Sequence, residues 1–321
     1  MSLVRLSTII VSWNTRDLLE RCIKSVLASI PESIQSEIIV VDNASTDGSP
    51  EMVRSRFPEV SLLVNDRNVG FAEANNQAIR KSAGEYLLLL NPDTEIVGEA
   101  IPEMLRFIDQ RPDIAVLGPK LLNPDGSVQS SRRSFPTKAT AFLESTVLQR
   151  LLPNHPALQR YYAMDRSDEV VQEVDWLVGA CLMVRSEAVK TVGLLDEGFF
   201  MYSEELDWCR RLVDAGWKVM YLPSARVIHY GGQSSDQYLF GRHIRFQYSK
   251  CRYFEKHHGY LFGQLLRCFI FLNYLFLLGE DIVKLLLLRR KRAMRRQRIS
   301  TLWQVLVWQA KWVVSWGKVR L

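Results

Sequence analysis

Three carboxylates fall within four positions, Glu204, Glu205 and Asp207, directly after the aromatic run Phe199-Phe200-Met201-Tyr202. Acids in the first turn of a helix complement its dipole, worth ~0.3–1 kcal/mol each, and Ser203 stands where a cap would stand. Three are more than capping needs. The same dipole favours the anion, and an ionised carboxylate beside a hydroxyl is a general base. Asp93 follows an apolar run and sits next to Pro92. One carboxylate there, with an imidazole beside it, can hold Mg2+ or Mn2+ if diphosphate oxygens and water complete the shell. His229 ends an apolar run and precedes Gly231-Gly232, so it is the candidate imidazole, with a structural histidine as the alternative. Asp42 can accept the imide N–H of a uracil, thymine or guanine ring, or cap the turn through Asn43 and Ser45; the two roles are compatible.

The elements that must position these residues follow from periodicity. Residues 1–120 alternate strand and helix patterns at the spacing of βαβ units. Strands are expected at Thr8–Ser12, Ile38–Val41, Val60–Val64, Tyr86–Leu90 and Ala115–Gly118. Helices are expected from Asp17, from the Asp47-Gly48-Ser49-Pro50 step, and from Gly70 and Gly98, the first with an apolar stripe of Leu18, Leu19, Cys22, Val26 and Leu27. Polar clusters close three of the strands: Trp13-Asn14, Asp42-Asn43 and Asn91-Pro92-Asp93. In a parallel sheet all three lie at the carboxyl edge, where open α/β sheets bind ligands. Neither a GxGxxG nor a Walker P-loop follows the first strand, which excludes those two modes of nucleotide binding. Residues 120–170 read as irregular. Beyond them, an apolar run at 176–184 with a Gly179-Ala180 step precedes a helix at Trp208–Ala215 and two strands, Trp217–Leu222 and Ala225–His229.

The 321 residues are 47% hydrophobic and 24% charged, which excludes a disordered chain. Five cysteines without a CxxC pair exclude a disulfide framework and a Cys-rich zinc site, and fit a reducing compartment. The opening Met1–Arg5 runs straight into a strand pattern, with no secretory signal expected. The net charge of +6 is uneven: Ile282–Leu321 holds eleven Lys or Arg and no acid, leaving the first 281 residues net negative. That pattern is a globular body with a cationic appendage that seeks phosphate.

Five segments occur in order: Ser12-Trp13-Asn14; Val40 to Gly48 (VVDNASTDG); Asn68-Val69-Gly70-Phe71-Ala72; Leu90-Asn91-Pro92-Asp93; and Phe199 to Asp207 (FFMYSEELD). Over residues 5–235 the chain resembles a family 2 glycosyltransferase of the GT-A fold, nearest to bacterial rhamnosyltransferase-like enzymes of cell-surface polysaccharide assembly. The resemblance implies an α/β fold with a mostly parallel central sheet. It implies an inverting enzyme moving a sugar, rhamnose in that subset, from a nucleotide-diphosphate sugar (dTDP-, UDP- or GDP-) to a hydroxyl of a saccharide acceptor, lipid-linked in such pathways. Asp42 would meet the base beside Ser12, Trp13 and Asn14; Gly70 and Asn76 would line the nucleotide pocket. Asn91 and Asp93 stand at the family's Asp-x-Asp metal motif, so Asp93, with His229, would hold the metal. Trp176, Gly179 and Ala180 would border sugar and acceptor. Glu205 matches the second acid of the Glu-Asp pair and would be the base, with Glu204 as fallback. Two departures stand out: Asn91 replaces the first metal-motif aspartate, and the acid pair is Glu204-Glu205. Arg132, Arg133 and Arg210 are candidates for the diphosphate, or solvated charges.

Residues 1–240 read as the catalytic domain and 241–321 as a helical, basic extension. Its apolar run within Leu265–Leu288 is interrupted at Gly279-Glu280-Asp281, short of the ~20 residues of a membrane span. Leu302, Val305, Leu306, Trp312, Val313 and Trp316 form one helical face, and with Trp303, Trp308 and the basic cluster they suit a helix lying on an anionic membrane. The alternative is a helix packed on protein, including a second subunit. Nucleic acid is the minor reading of the basic run. These features place the enzyme in the cytoplasm, peripheral on the cytosolic face of the membrane. Two other functions compete: a sugar-1-phosphate nucleotidyltransferase, which would carry a Gly-rich, Arg-containing loop where Ser12-Trp13-Asn14-Thr15 stands, and a non-catalytic nucleotide-sugar-binding scaffold at the membrane.

Overall fold

The apolar, β-branched runs of the sequence become the strands of one sheet in the computed structural model, which describes residues 4–232, 239–288 and 292–314. Arg289-Arg290-Lys291, Trp316 and Lys318 lie outside the described residues, and the side chain of Val313 is likewise not described. The strands are β1 (Leu6–Ser12), β2 (Ser36–Asp42), β3 (Ser61–Val64), β4 (Tyr86–Leu90), β5 (Thr94–Val97), β6 (Ile114–Leu122), β7 (Val128–Gln129), β8 (Arg132–Arg133), β9 (Gln172–Val174), β10 (Trp176–Leu177), β11 (Cys181–Arg185) and β12 (Lys218–His229). The helices are α1 (Arg16–Ser29), α2 (Ser49–Arg56), α3 (Phe71–Lys81), α4 (Ala100–Asp109), α5 (Lys138–Leu143), α6 (Val147–Leu151), α7 (Pro156–Tyr161), α8 (Ser186–Val192), α9 (Glu204–Asp214), α10 (Leu239–His258), α11 (Tyr260–Leu287) and α12 (Arg292–Val314).

The chain divides into two compact units. The first comprises residues 1–135, 162–200 and 204–234. Its sheet runs β3-β2-β1-β4-β11-β6-β12-β5, with β7 added to β6 and β9 to β12; β8 and β10 form a separate ribbon. β1 is parallel to β2 and β4, β2 to β3, and β6 to β12. β11 runs antiparallel between β4 and β6, and β5 runs antiparallel on β12. Every residue of β4 is buried, as its unbroken apolar run requires of a central strand. Ile10, Val40, Leu88, Leu117, Met183 and Val227 meet in one core, where each buried aliphatic side chain contributes ~1.5–3 kcal/mol. α1 buries Leu19, Cys22, Ile23 and Val26, one 3.6-residue stripe.

Local patterning misplaces two elements. β12 is one strand where two were expected, because a register shift between Leu222 and Arg226 absorbs Pro223 as a bulge. β5, too short to show a period, was not expected at all. Residues 120–170, read as irregular, contain β7, β8 and α5–α7.

The second unit comprises residues 136–161, 201–203 and 235–321. Its long element, α11, continues for 28 residues through Gly279-Glu280-Asp281. The acids interrupt the apolar run but not the helix, where Glu280 pairs with Arg150 and Lys284 and Asp281 with Arg298. By length and composition α11 is therefore long and apolar enough to cross a membrane. One face of it is buried (Gly263, Leu266, Ile270, Tyr274, Leu278), while Leu261, Leu265, Leu272, Leu275, Leu286 and Leu287 are exposed. In α12 the face expected to meet lipid is instead buried: Leu302, Val305, Leu306 and Trp312 pack inward, with Trp312 against Tyr248 and under the Arg267 guanidinium. Packing on protein removes that apolar area from water just as lipid would. Trp303 alone of the described tail tryptophans is exposed.

Candidate functional site

Parallel register brings the strand-end clusters side by side. Ser12 pairs with Asp42, and Ile10 with Leu90. Because β11 is antiparallel to β4, its start lies at the same edge: Cys181 pairs with Leu90, and the Asn91 amide donates to the Ala180 carbonyl at 2.9 Å. His229, at the end of β12, pairs with Thr94, and the Tyr230 amide donates to the Asp93 carbonyl.

At the β2 end, Asp42 is 1% exposed. One carboxylate oxygen caps the turn by accepting from the Ser45 amide at 2.8 Å; the other is buried and meets no donor among the described residues. Burial pushes its carboxyl above the usual aspartate range. Asn14, in the left-handed region at φ 51, accepts from the Thr46 amide through its side chain and donates from its backbone N–H to the Ser45 hydroxyl, which ties the β1 loop to the β2 loop. Trp13 is half-buried beside it, and the Ser12 hydroxyl is buried against Thr15.

Gly70 joins this region to the aromatic run. Its carbonyl accepts from Asn43, and the Phe71 amide donates to the Phe200 carbonyl at 2.7 Å. A Cβ on Gly70 would stand 2.5 Å from that carbonyl oxygen, and its backbone (φ 94, ψ 172) is open to glycine only. Gly70→Ala is expected to cost ~1–3 kcal/mol from the backbone alone, read as a lower denaturation midpoint. Asn76 was expected to line the nucleotide pocket. It serves the scaffold instead. Its amide donates to the Leu195 carbonyl and to Glu197, and its oxygen accepts from the Leu195 amide. With both donors and one acceptor lone pair spent there, the buried amide holds the 195–197 segment.

At the β4 and β12 ends, the ring of His229 is oriented by a residue that sequence reading did not single out. Gln129 donates through Nε2 to Asn123 at 3.0 Å and to the His229 carbonyl. Its oxygen therefore faces His229 Nδ1, at 2.6 Å. Nδ1 must carry the proton, and the Nε2 lone pair is left 3.4 Å from Asp93 Oδ1 and 3.5 Å from the Asn91 amide nitrogen. A lone pair and a carboxylate facing each other repel unless a cation or proton lies between them, and an imidazole fixed by an acceptor on its far nitrogen is a typical metal-ligand arrangement. Asp93, His229 and Asn91 thus fit a hard divalent ion that takes its remaining ligands from elsewhere. Among the described residues no group of three or more His, Cys, Asp or Glu side chains could hold a metal.

The acids of α9 separate by environment. Asp207 is fully buried and bonded to Arg211, which also holds the Val192 and Leu194 carbonyls. Glu205 is partly buried and accepts from the Gly179 amide at 3.4 Å; an added Cβ on Gly179 would already touch it at 3.5 Å. Burial raises its carboxyl above the usual glutamate range, against which the Gly179 and Leu206 amides and the charge of Arg133 favour the anion. Glu204 is 4% exposed, with one oxygen meeting no partner, and burial beside Glu205 raises it further. Desolvation raises both carboxyls, against the helix dipole that favours their anions. Ser203 is not an ordinary cap, since it and Tyr202 lie in the left-handed region at φ 64 and 70. A raised folded-state value means the native protein binds a proton that the unfolded chain has released. Stability therefore falls as pH rises from the unfolded glutamate value toward the folded one. Glu204→Gln is expected to raise the melting temperature at pH 8 and to change it little at pH 4, by calorimetry.

Trp176 is buried, its indole donating to the Ser134 carbonyl. The three arginines are engaged: Arg132 is buried on Asp168 and the 166–167 carbonyls, Arg133 holds Ser130 and covers the Tyr162 ring, and Arg210 pairs with Asp214.

This arrangement of sheet and edge is the GT-A fold of nucleotide-sugar transferases. The crystal structure of GalNAc-T7 with UDP, GalNAc and Mn2+ superposes on 79% of the chain and 48% of its own length at a TM-score of 0.57 and 18% identity. Mannosyltransferase PcManGT from Pyrobaculum calidifontis, in complex with GDP-Man and Mn2+, covers 98% of the chain and 88% of its own at 0.54 and 15%. Residues 7–193 match glycosyl transferase family 2, and the chain belongs to that family. It is 33% identical over 243 residues to the N-acetylglucosaminyl-diphospho-decaprenol L-rhamnosyltransferase of Mycobacterium tuberculosis, across 72% of this chain and 78% of that one. Rhamnosyltransferase WbbL of Escherichia coli is 28% identical over 178 residues, 53% of this chain and 64% of its own. The protein is a glycosyltransferase of polysaccharide assembly, resembling rhamnosyltransferases; the scaffold and nucleotidyltransferase readings are set aside.

Proposed function

We propose that this protein is an inverting transferase that moves a deoxyhexose such as rhamnose from a nucleoside diphosphate to a hydroxyl of a glycosyl-diphospho-lipid. The observation that carries the reading is the single sheet edge that holds the orphaned Asp42 oxygen, the Asp93–His229 pair and, through Ala180 and Gly179, the Glu205 carboxylate. Asp42 receives the imide N–H of the base, with Trp13 and Asn14 beside it and Gly70 keeping the wall close. Asp93 and the Nε2 of His229 would hold a divalent cation, Mg2+ or Mn2+, which when bound neutralises charge on the departing diphosphate. Glu205 takes the proton from the acceptor hydroxyl as that oxygen bonds to the anomeric carbon and the diphosphate leaves from the opposite face. One displacement inverts the configuration. Gly179, without a side chain, leaves Glu205 room for the acceptor.

The named acceptor of the mycobacterial relative supports a lipid-linked acceptor here. A cytoplasmic enzyme attached to the membrane suits that acceptor. Its contact would be the outward leucines of α11 and the basic tail rather than the buried face of α12.

A panel of dTDP-, UDP- and GDP-sugars with Mn2+ tests the reading by thermal shift, because a bound donor stabilises the fold by mass action. One donor class should raise the midpoint, and transfer from it to a GlcNAc-diphospho-lipid should yield the inverted linkage. A retained configuration would refute the mechanism.

A further inference from the structure

Within the second unit, α10, α11 and α12 line an open cavity of about 650 Å3, with Ser145 and Tyr202 also in its wall. Packed helices normally fill such space with aliphatic side chains. Here the lining is largely polar, aromatic and cationic, and no Asp or Glu is among its described residues. The outer part carries Arg242, His243 and Arg298, all exposed; the inner part carries Gln247, Asn273 and Tyr274, all buried. Arg298 is steadied by Asp281 at 2.9 Å. His243 Nδ1 lies 2.8 Å from the Tyr274 hydroxyl, and partial desolvation of the ring on its inner side, with Arg242 and Arg298 nearby, lowers its proton affinity. The Asn273 oxygen is taken by the Val147 amide at 2.8 Å, which turns its NH2 donors to other partners. Gln247 is 3% exposed, and its side-chain oxygen meets no donor among the described residues. A buried, unsatisfied acceptor is costly, and a ligand hydroxyl would relieve it. The size suits a small-molecule site, and paired guanidiniums suit phosphate oxygens.

We propose that this cavity binds the glycosyl-phosphate end of the acceptor, Arg242 and Arg298 taking phosphate oxygens and the Gln247 and Asn273 amides taking sugar hydroxyls. The proposal rests on the lipid-linked acceptor argued above.

The test uses the full-length protein. Binding of GlcNAc 1-phosphate is measured by calorimetry without donor or divalent cation, for wild type, Arg242→Ala and Thr301→Trp, the last plugging the cavity. Arg242→Ala should weaken binding at least tenfold and Thr301→Trp should abolish it. In steady-state assays with a short-chain GlcNAc-diphospho-lipid, both should raise the acceptor KM at least tenfold and leave the donor KM unchanged. Unchanged probe binding in both variants overturns the proposal. So does inorganic phosphate binding as tightly as GlcNAc 1-phosphate, which would mark a bare anion site. Loss of binding to phosphatidylglycerol vesicles with the soluble probe unaffected overturns it in favour of a lipid-headgroup contact. A wild type that binds GlcNAc 1-phosphate but no nucleotide-sugar would refute the transferase mechanism and leave the cavity assignment standing.

Discussion

Glu205→Gln should lower the transfer rate by about 10²–10⁴-fold, the usual contribution of a positioned general base. The amide keeps the size of the side chain and can still meet the Gly179 N–H that Glu205 now accepts at 3.4 Å, but it cannot take a proton. Donor affinity should be unchanged, because the residues assigned to the nucleotide lie at the ends of β1, β2 and β4. The wild-type rate should carry an acid limb. As pH falls through the Glu205 value the base is protonated and turnover is lost, and burial places that loss above the ordinary glutamate value. The limb should vanish in the residual activity of the variant. A Glu205→Gln enzyme with full activity would transfer the role to Glu204. Burial argues against Glu204, which is the less exposed of the two and the more strongly held in its neutral form.

Asp93→Ala should be the other large loss, ~10²-fold or more, since it removes the single carboxylate of the metal motif and strips charge stabilisation from the leaving group. With Asn91 in place of a first aspartate, no second acid can compensate. The check is twofold: Mn2+ binding followed by electron paramagnetic resonance, and transfer rate against metal concentration. Binding should weaken and the metal optimum should move to higher concentration. Asn91→Asp should shift both the other way, by adding a charged ligand beside His229 Nε2. Unaltered metal binding in Asp93→Ala would place the cation elsewhere.

The strand ends at Ser12, Asp42 and Leu90 were legible because each is a local event, an apolar β-branched run stopped by a polar residue. Their convergence then follows from parallel topology alone. The motif spacing carried the family. Other features depend on partners far away in sequence. Gln129 fixes the His229 tautomer across 100 positions, and neither residue's neighbours hint at the other. Asn76 occupies a motif position but is consumed by Leu195 and Glu197, more than a hundred positions away.

The same division explains the errors in the tail. An apolar helical face is written in the sequence of α12, but whether lipid or protein covers it is not, since either removes the same area from water. The acids at 280 and 281 interrupt the apolar run of the sequence, and only the fold shows that Arg150 and Arg298 supply their counter-charges within one continuous helix. What the sequence by itself determined was the longer periodic strands and helices, their polar ends and the residue types gathered there. Tertiary structure decided which carboxylates are buried, which amides are spent and which ring nitrogen holds the proton. Desolvation and hydrogen-bond satisfaction are sums over neighbours that only the folded chain assembles.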